Sequence, residues 1–415
     1  MKVYVIKASA NSLFKDYKRF MGAPPQSIYS LAAVTPEYID IDLIDETSEG
    51  EADINYQANI VAIFMSTPDA KRGYQLAEAF RRRGITVVFG GLHASFLPEE
   101  ALQYGDAVMC GETEHHWPQL LADFQAGKLQ RIYENKHPVL MKESQGYPHE
   151  YMDLTPYKGL GSVMVSRGCK FKCNFCTVHE FFPKFQSRPV GDIVDEIKRS
   201  GLSYVELHAD NLIADRDYAL ELCEALKPLN IKWLAEATLN IAEHEDILQA
   251  AAESGLFYLL VGLETPSRAA LKAAGKGFIK VEKAKEYIQT LHHYEIAVDS
   301  AMIFGFDQHD ESIFEESLDF VEDIELDVCH SVTLTPFPGT ALFAQLEREN
   351  RLLTRDWSKY DCNHVVFQPA QMTAEQLTEG VQWFYDKYNS TGRSIKRQFT
   401  QVRNLGLFHS SYFNL

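Results

Sequence analysis

Short apolar runs that alternate with amphipathic stretches over residues 1–340 confine this chain to parallel β-sheets covered by helices. Lys2–Lys7, Tyr38–Ile44, Asn59–Met65, Thr86–Gly90 and Asp106–Cys110 read as strands. Between them, Gly73–Arg83 sets Leu76, Ala77 and Phe80 on one helical face, and His116–Phe124 is helical too. Such alternation leaves a sheet buried on both faces, whose ligands sit beyond the carboxyl ends of the strands. Those ends are polar or glycine-rich: Ala8-Ser9-Ala10-Asn11, Ser66-Thr67-Pro68-Asp69, Gly90-Gly91-Leu92-His93 and Gly111-Glu112.

Residues 131–160 carry Asn135, Pro138, Gly146, Pro148 and Pro156 with little periodicity, the composition of a linker. Strands are then expected near Gly161–Ser166, Tyr204–His208, Lys232–Ala237, Phe257–Leu263, Ala297–Phe304 and Val328–Thr335, with helices between them. Six such units predict a partial (β/α)6 TIM-like barrel with its chemistry on the carboxyl rim. Beyond residue 340 the pattern turns helical. The expected fold is therefore α/β: a doubly wound, Rossmann-like domain (1–130), a linker (131–160), a partial barrel (161–340) and a mostly helical region (341–415).

The net charge of −18, from 58 acidic and 40 basic residues, repels nucleic-acid phosphates and anionic lipid. No run approaches the ~20 apolar residues of a transmembrane helix, and Met1–Ile6 reads as a strand rather than a signal peptide. A cytoplasmic location is expected. The seven cysteines agree with a reducing compartment: Cys110, Cys223, Cys329 and Cys362 are scattered, whereas the other three crowd together.

That triplet lies in Ser166-Arg167-Gly168-Cys169-Lys170-Phe171-Lys172-Cys173-Asn174-Phe175-Cys176, directly after the first barrel strand. Three thiolates on one short loop can hold three irons of a cubane and leave the fourth open. Structural zinc takes four ligands, usually from two separated pairs, and no second pair matches here. The spacing thus favours a 4Fe-4S cluster held by Cys169, Cys173 and Cys176.

The segment, with Phe175 before its third cysteine, resembles the signature of the radical S-adenosylmethionine (SAM) superfamily. The resemblance implies that the open iron chelates SAM, and that an electron from the cluster cleaves it to a 5′-deoxyadenosyl radical. That radical would abstract hydrogen from an unactivated carbon. Later segments are similar in order and position. Val205–Asn211 resembles the stretch that contacts the SAM amino group, through Asp210 and Asn211, which could equally cap a helix or turn. Glu264, at the end of Val261–Thr265, resembles the residue that binds the ribose hydroxyls, with a rim salt bridge as the alternative. Ala301–Asp307, with Ile303 and Phe306, resembles the segment lining adenine, although Gln308-His309-Asp310 replaces the Pro-Gly usual there. Thr335–Thr340 matches a turn of the same subgroup.

Pro24–Ala33, Gly90–His93 and Gly111–Glu114 resemble the cobalamin-binding-type domain found in a subgroup rich in methyltransferases, and the likeness runs through Trp357–Asp361. It implies that Ser66, Thr67, Gly90, Gly91, His93 and Gly111 line a corrinoid site. Ser66 and Thr67 could instead cap the next helix, and His93 could be a loop hydrogen-bonder. The usual Asp-x-His-x-x-Gly after the first strand is replaced by Lys7-Ala8-Ser9-Ala10-Asn11-Ser12-Leu13, which has no histidine.

The resulting expectation is a cobalamin-dependent radical methyltransferase acting on a small molecule or lipid-like metabolite, fed by an electron donor such as flavodoxin or ferredoxin. No general acid or base is singled out. Radical cyclisation, rearrangement or carbon–carbon coupling without cobalamin is the alternative, and a metal-binding interaction protein is a third reading. Tyr151, Tyr157, His179, His208, Tyr258 and Phe181-Phe182-Pro183 are candidates to face the substrate, with core packing as the competing role.

Overall fold

A computed structural model describes residues 1–10, 23–134, 140–144 and 146–413, with side chains up to residue 406. The Asn11, Ser12, Leu13, Asn135 and Pro138 positions invoked above lie outside the described residues. The first sheet comprises β1 (Lys2–Lys7), β2 (Asp40–Asp45), β3 (Ile60–Phe64), β4 (Thr86–Gly90), β5 (Ala107–Cys110) and β6 (Ile132–Glu134). All pairings are parallel, in the order β2-β1-β3-β4-β5-β6. The winding reverses between β1 and β3, so the crevice beyond their carboxyl ends is the switch point where doubly wound sheets bind ligands. Strand β3 is buried along its whole length, as a central parallel strand covered on both faces must be. Strand β6 corrects the sequence reading: it extends the first sheet into the stretch expected to be linker. Three residues are too short to show a period of two.

The second sheet comprises β7 (Leu160–Met164), β10 (Tyr204–His208), β11 (Lys232–Ala237), β12 (Leu256–Glu264), β13 (Ala297–Phe304) and β14 (Val328–Thr333). Its six parallel strands follow chain order from β7 to β14 and form a partial barrel, since among the described residues β7 and β14 do not pair with each other. Alternation fixes its two faces. Val205, Leu207, Trp233 and Ala235 join the main core beneath the helices, while Tyr204 and Leu234 turn to the opposite, inner face. Leu160, Leu234, Phe257, Tyr258 and Ala297 gather at the amino end of the barrel with Leu405 of the C-terminal helix Thr391–Phe413. The carboxyl end is left to the loops. Between β7 and β10, a two-pair antiparallel hairpin of β8 (Ser166–Arg167) and β9 (Gln186–Ser187) closes the cysteine segment into one loop.

The carboxyl ends of the two sheets meet. Arg167, buried at the root of the cysteine loop, donates to Glu112 at 2.8 Å and also to Glu114, both just beyond β5. The Tyr157 hydroxyl donates to Asp45 at the end of β2. Trp357 Nε1 donates to Glu100 at 2.9 Å, bringing the C-terminal region onto the first domain. The Pro338-Gly339 turn packs so closely on Phe96 that a Cβ on Gly339 would stand 2.3 Å from the ring.

Candidate active site

The cysteine loop is pinned from three sides. Gly168, at φ +84°, lies where a Cβ would meet the Lys184 carbonyl at 2.6 Å, and its amide donates to Asp210 Oδ2 at 2.7 Å. Asn174 donates its amide to Ala274 at 3.0 Å and accepts from the Leu342 amide at 2.9 Å. The Cys176 amide turns back to the Cys173 carbonyl at 3.1 Å. Burial pushes the Cys173 thiol up to about 11 and raises Cys176. Among the described residues no three His, Cys, Asp or Glu side chains close on a single metal ion. The triplet is therefore not a preformed mononuclear site; a cubane, which presents a separate iron to each thiolate, takes ligands spread in this way.

Asp210 lies two residues beyond β10, and its carboxyl is raised by burial, which outweighs the attraction of His208. Asn211 is buried and accepts the Thr238 amide on Oδ1 at 3.2 Å, so it ties β10 to the end of β11; it caps no helix with its side chain. Glu264 stands at φ +65°, a left-handed conformation that costs a non-glycine residue free energy and that here turns its buried carboxylate onto Lys276. A Cβ on Gly262 would lie 2.4 Å from Lys276 Nζ and 2.6 Å from Glu264 Oε1, so that glycine leaves room for the pair. Burial opposes the Lys276 charge, but Glu264 prevails and raises its pKa. Lys276 lies 6.0 Å from the Phe175 ring centroid, and Phe175 meets Phe306 at 5.9 Å. Phe306 in turn packs edge-on to His309, whose Nε2 bonds Thr265 Oγ1 at 3.1 Å. Burial pushes His309 down to about 4, so it is neutral at pH 7. Ile303, half-buried near the end of β13, packs against the main core.

Inside the barrel stands a polar group that the sequence reading largely missed. Ser162 donates to Glu206 at 3.0 Å; Tyr258 and His330 both reach Asp299 Oδ2, at 2.5 and 3.0 Å. Burial opposes the charge on His208, yet Glu206 raises its pKa. Glu236 keeps an edge open to the lumen while the wall desolvates it; that burial, with Glu206, Asp210 and Asp299 nearby and His208 opposing, pushes it up to about 7. The available signal was polar residues two apart, Glu206 and His208, in a strand expected to be apolar on both faces. Of the other aromatic candidates, Tyr157 is bound in the core at Asp45, Tyr258 holds Asp299, and Tyr151 is exposed.

A second cavity, about 880 Å³ free of protein atoms and partly open to solvent, sits at the switch point. Lys7 lines it from the end of β1 and Ser9 from just beyond, Ser66, Thr67 and Asp69 from the loop after β3, and Leu92 and Phe96 from the short helix after β4. Thr177, next to the third cysteine, lines it from the barrel, and Tyr360, Asp361 and Cys362 close it. Ser66 donates to Asp69, which pairs with Lys7 at 3.0 Å; the Asp69 carboxyl is held low because Lys7 and its donors outweigh burial. Gly91, at φ +90°, passes where a Cβ would be 2.9 Å from the Met65 carbonyl, beside the buried Gly90. Gly111, at φ +79°, has open space where a side chain would be. His93 is absent from the cavity lining: it is fully buried, with Nε2 3.1 Å from the Tyr74 hydroxyl and 3.4 Å from Glu100. Sequence reasoning brought together the cysteines, Phe175 and Phe306 but missed Lys276 and Arg167, whose partners lie on other elements.

Comparison with known proteins adds to this geometry. The sequence pattern of the Radical SAM superfamily matches residues 163–321. The chain is 28% identical to bacteriochlorophyllide d C-12(1)-methyltransferase of Chlorobaculum tepidum, over 86% of this chain and 80% of the relative. It is 26% identical to bacteriochlorophyllide d C-8(2)-methyltransferase of the same organism, over 81% and 79%. The solved structure of the radical SAM methyltransferase TsrM from Kitasatospora setae, with cobalamin and a [4Fe-4S] cluster bound, shares the fold: TM-score 0.73, 13% identity, covering all of this chain and 97% of the other.

Proposed function

The chain belongs to the radical SAM superfamily, and from that premise we propose that it uses cobalamin to methylate an unactivated carbon of a small molecule. The observation that carries this reading is the cavity running from the switch point of the first sheet to Thr177, beside the cluster loop. The methyltransferases it is similar to support the same reading.

Cys169, Cys173 and Cys176 fit a cubane cluster, being spread on one pinned loop. The Glu264 carboxylate, turned inward at the rim, would accept the ribose hydroxyls of SAM, with Phe175, Ile303 and Phe306 walling its adenine. Asp210 and Asn211 already serve loop amides, so their part is to position the rim, with free acceptor capacity left toward the SAM amino group. Ser66 and Thr67, which line the cavity, would hold a corrinoid by its edge, while Gly90, Gly91 and Gly111, outside the lining, would shape the loops beside it. Among the described residues no histidine lines that cavity, and His93 is committed to Tyr74 and Glu100, so a bound corrinoid would take no imidazole ligand from them. When bound, the cluster and SAM supply the radical and cobalamin supplies the methyl group. The polar lumen at Glu206, His208 and Glu236 orients a substrate that carries polar groups. A small one-electron carrier such as flavodoxin or ferredoxin supplies the electron. A reducing, cytoplasmic setting fits cysteines that form no disulfide among the described residues, and among those residues no helix is long and apolar enough to cross a membrane.

Protein purified without oxygen should contain about four irons per chain, as a cubane requires, together with cobalt. A candidate substrate should gain one methyl group while two SAM molecules are consumed per turnover. Iron without cobalt, or a product with no added methyl group, would sink methyl transfer and favour cyclisation or rearrangement.

A further inference from the structure

On this acidic chain the sign of charge inverts around the cysteine loop. Residues 154–179, 181–191 and 265–281 contain no aspartate or glutamate, and Glu180 alone interrupts the first two. The same three segments form one neighbourhood. Gly275 approaches the cluster loop where a Cβ would lie 2.9 Å from the Lys172 carbonyl, and Gly168 approaches the Lys184 carbonyl. Phe171 of the loop stacks on Phe278 at 3.7 Å, and Lys170 Nζ lies 5.4 Å from the Phe185 ring centroid.

Apart from Lys158, which precedes β7, the lysines and arginines here divide into two sets. Arg167, Arg188, Arg268, Lys276 and Lys280 are paired with Glu112 and Glu114, Glu196, Glu282, Glu264 and Glu243, in that order. Lys170, Lys172, Lys184 and Lys272 are exposed and, among the described residues, enter no ion pair. Four unpaired lysines framing the thiol loop, on a chain whose net charge is −18, form an orienting device. An acidic partner is repelled elsewhere and attracted only where its approach brings it next to the cluster.

We propose that Lys170, Lys172, Lys184 and Lys272, around the stacked Phe171 and Phe278, are the docking face for a small acidic one-electron carrier of the flavin or iron–sulfur class. The transfer is of one electron: the carrier's low-potential centre is oxidised by one electron, the cluster held by Cys169, Cys173 and Cys176 is reduced by one, and no bond or proton moves at the interface. Charge sign and proximity to the thiols favour a protein carrier over nucleic acid, which the remaining surface repels, and over a membrane, which would not deliver an electron to this loop. The inference rests on the radical SAM reading of the triplet.

The test uses full-length, cluster-loaded chain and a purified acidic flavodoxin. Titration at low salt should give saturable binding that weakens as rising ionic strength shortens the screening length to below about 10 Å. The Lys184→Glu/Lys272→Glu variant should raise the Kd about tenfold or more, and Lys170→Gln/Lys172→Gln should weaken binding by several-fold. Lys184→Glu/Lys272→Glu should keep its iron content and its SAM cleavage with dithionite within about twofold, while flavodoxin-driven cleavage falls about tenfold. An unchanged Kd and an unchanged flavodoxin-driven rate in that variant would overturn the proposal. So would binding to phosphatidylglycerol vesicles with none to flavodoxin. Failure of the cluster-loaded wild type to cleave SAM with dithionite would count against the enzymatic reading instead, and the titration would still decide the docking face.

Discussion

The two parallel sheets present carboxyl edges of opposite temper. Beyond the first sheet the polar groups are already matched: Ser66 and Lys7 satisfy Asp69, Ser95 Oγ accepts the Gly111 amide at 2.9 Å, and Glu112 and Glu114 clasp Arg167. Inside and above the second sheet the carboxylates crowd one another instead. Glu206, Glu236, Asp299 and Asp210 share a lumen with two histidines, and Asp299 Oδ1 is buried with no hydrogen-bond partner. A surface whose polar groups satisfy each other offers shape and backbone, which suits a large cofactor held by many weak contacts. A lumen with crowded acidic groups has electrostatic demand to place on a ligand. The first edge thus reads as a cradle and the second as the site of chemistry.

The strongest way to break this contrast is at the cysteine loop. Cys173→Ala should abolish SAM cleavage, a loss of more than about a hundredfold, and lower the bound iron, because two thiolates do not hold a cubane. Iron assay and the visible absorbance of the cluster check it; retention of both would place the cluster elsewhere. Arg167→Met asks whether the first edge is structural. It leaves Glu112 and Glu114 near the sheet interface without their cation, and the expected cost is about 3–5 kcal/mol in a urea titration. A loss below about 1 kcal/mol would mean that the two edges are not joined through this residue.

Glu264→Gln sits between the two regimes, since its carboxylate is both matched, to Lys276, and turned to the rim. The amide keeps the volume but loses the charge. It should weaken SAM binding by about tenfold, read by equilibrium dialysis, with a smaller effect on the melting temperature. The reverse ranking would make the pair a brace rather than a ligand site.

How much of this was legible in the chain follows from which interactions are local. Strand positions were readable because apolar runs are contiguous, and the observed β4, β10, β11 and β13 coincide with their expected ranges. The cysteine loop was readable because all its thiols lie within eight residues. Strand order was not, since placing β1 between β2 and β3 depends on pairings across more than fifty residues. Lys276 and Arg167 were passed over for the same reason: each looks like an ordinary surface cation until its partner, on another element, is known. His93 carried two readings, corrinoid-site residue and loop hydrogen-bonder; its ring goes into the core and bonds Tyr74 and Glu100, in keeping with the second.

The smallest expected effect, and the most direct gauge of crowding in the lumen, is the pH response of Glu236. Its folded pKa is raised to about 7 from the ordinary carboxyl value near 4.5, chiefly by burial. Between those two values the folded state binds more protons than the unfolded state, so this group makes stability fall as pH rises from about 4.5 to 7, and the penalty is complete above 7. Glu236→Gln cannot ionise and should remove that slope. The variant should melt at nearly the wild-type temperature at pH 5 and slightly above it at pH 8, with the gap opening across pH 6–7. Because the carboxyl keeps an open edge to the lumen, water screens much of the penalty and the gap should be small. A gap of opposite sign, with the variant less stable at pH 8, would show Glu236 to be satisfied when charged. It would then belong with the matched groups of the first edge, and the contrast between the two edges would fail at its centre.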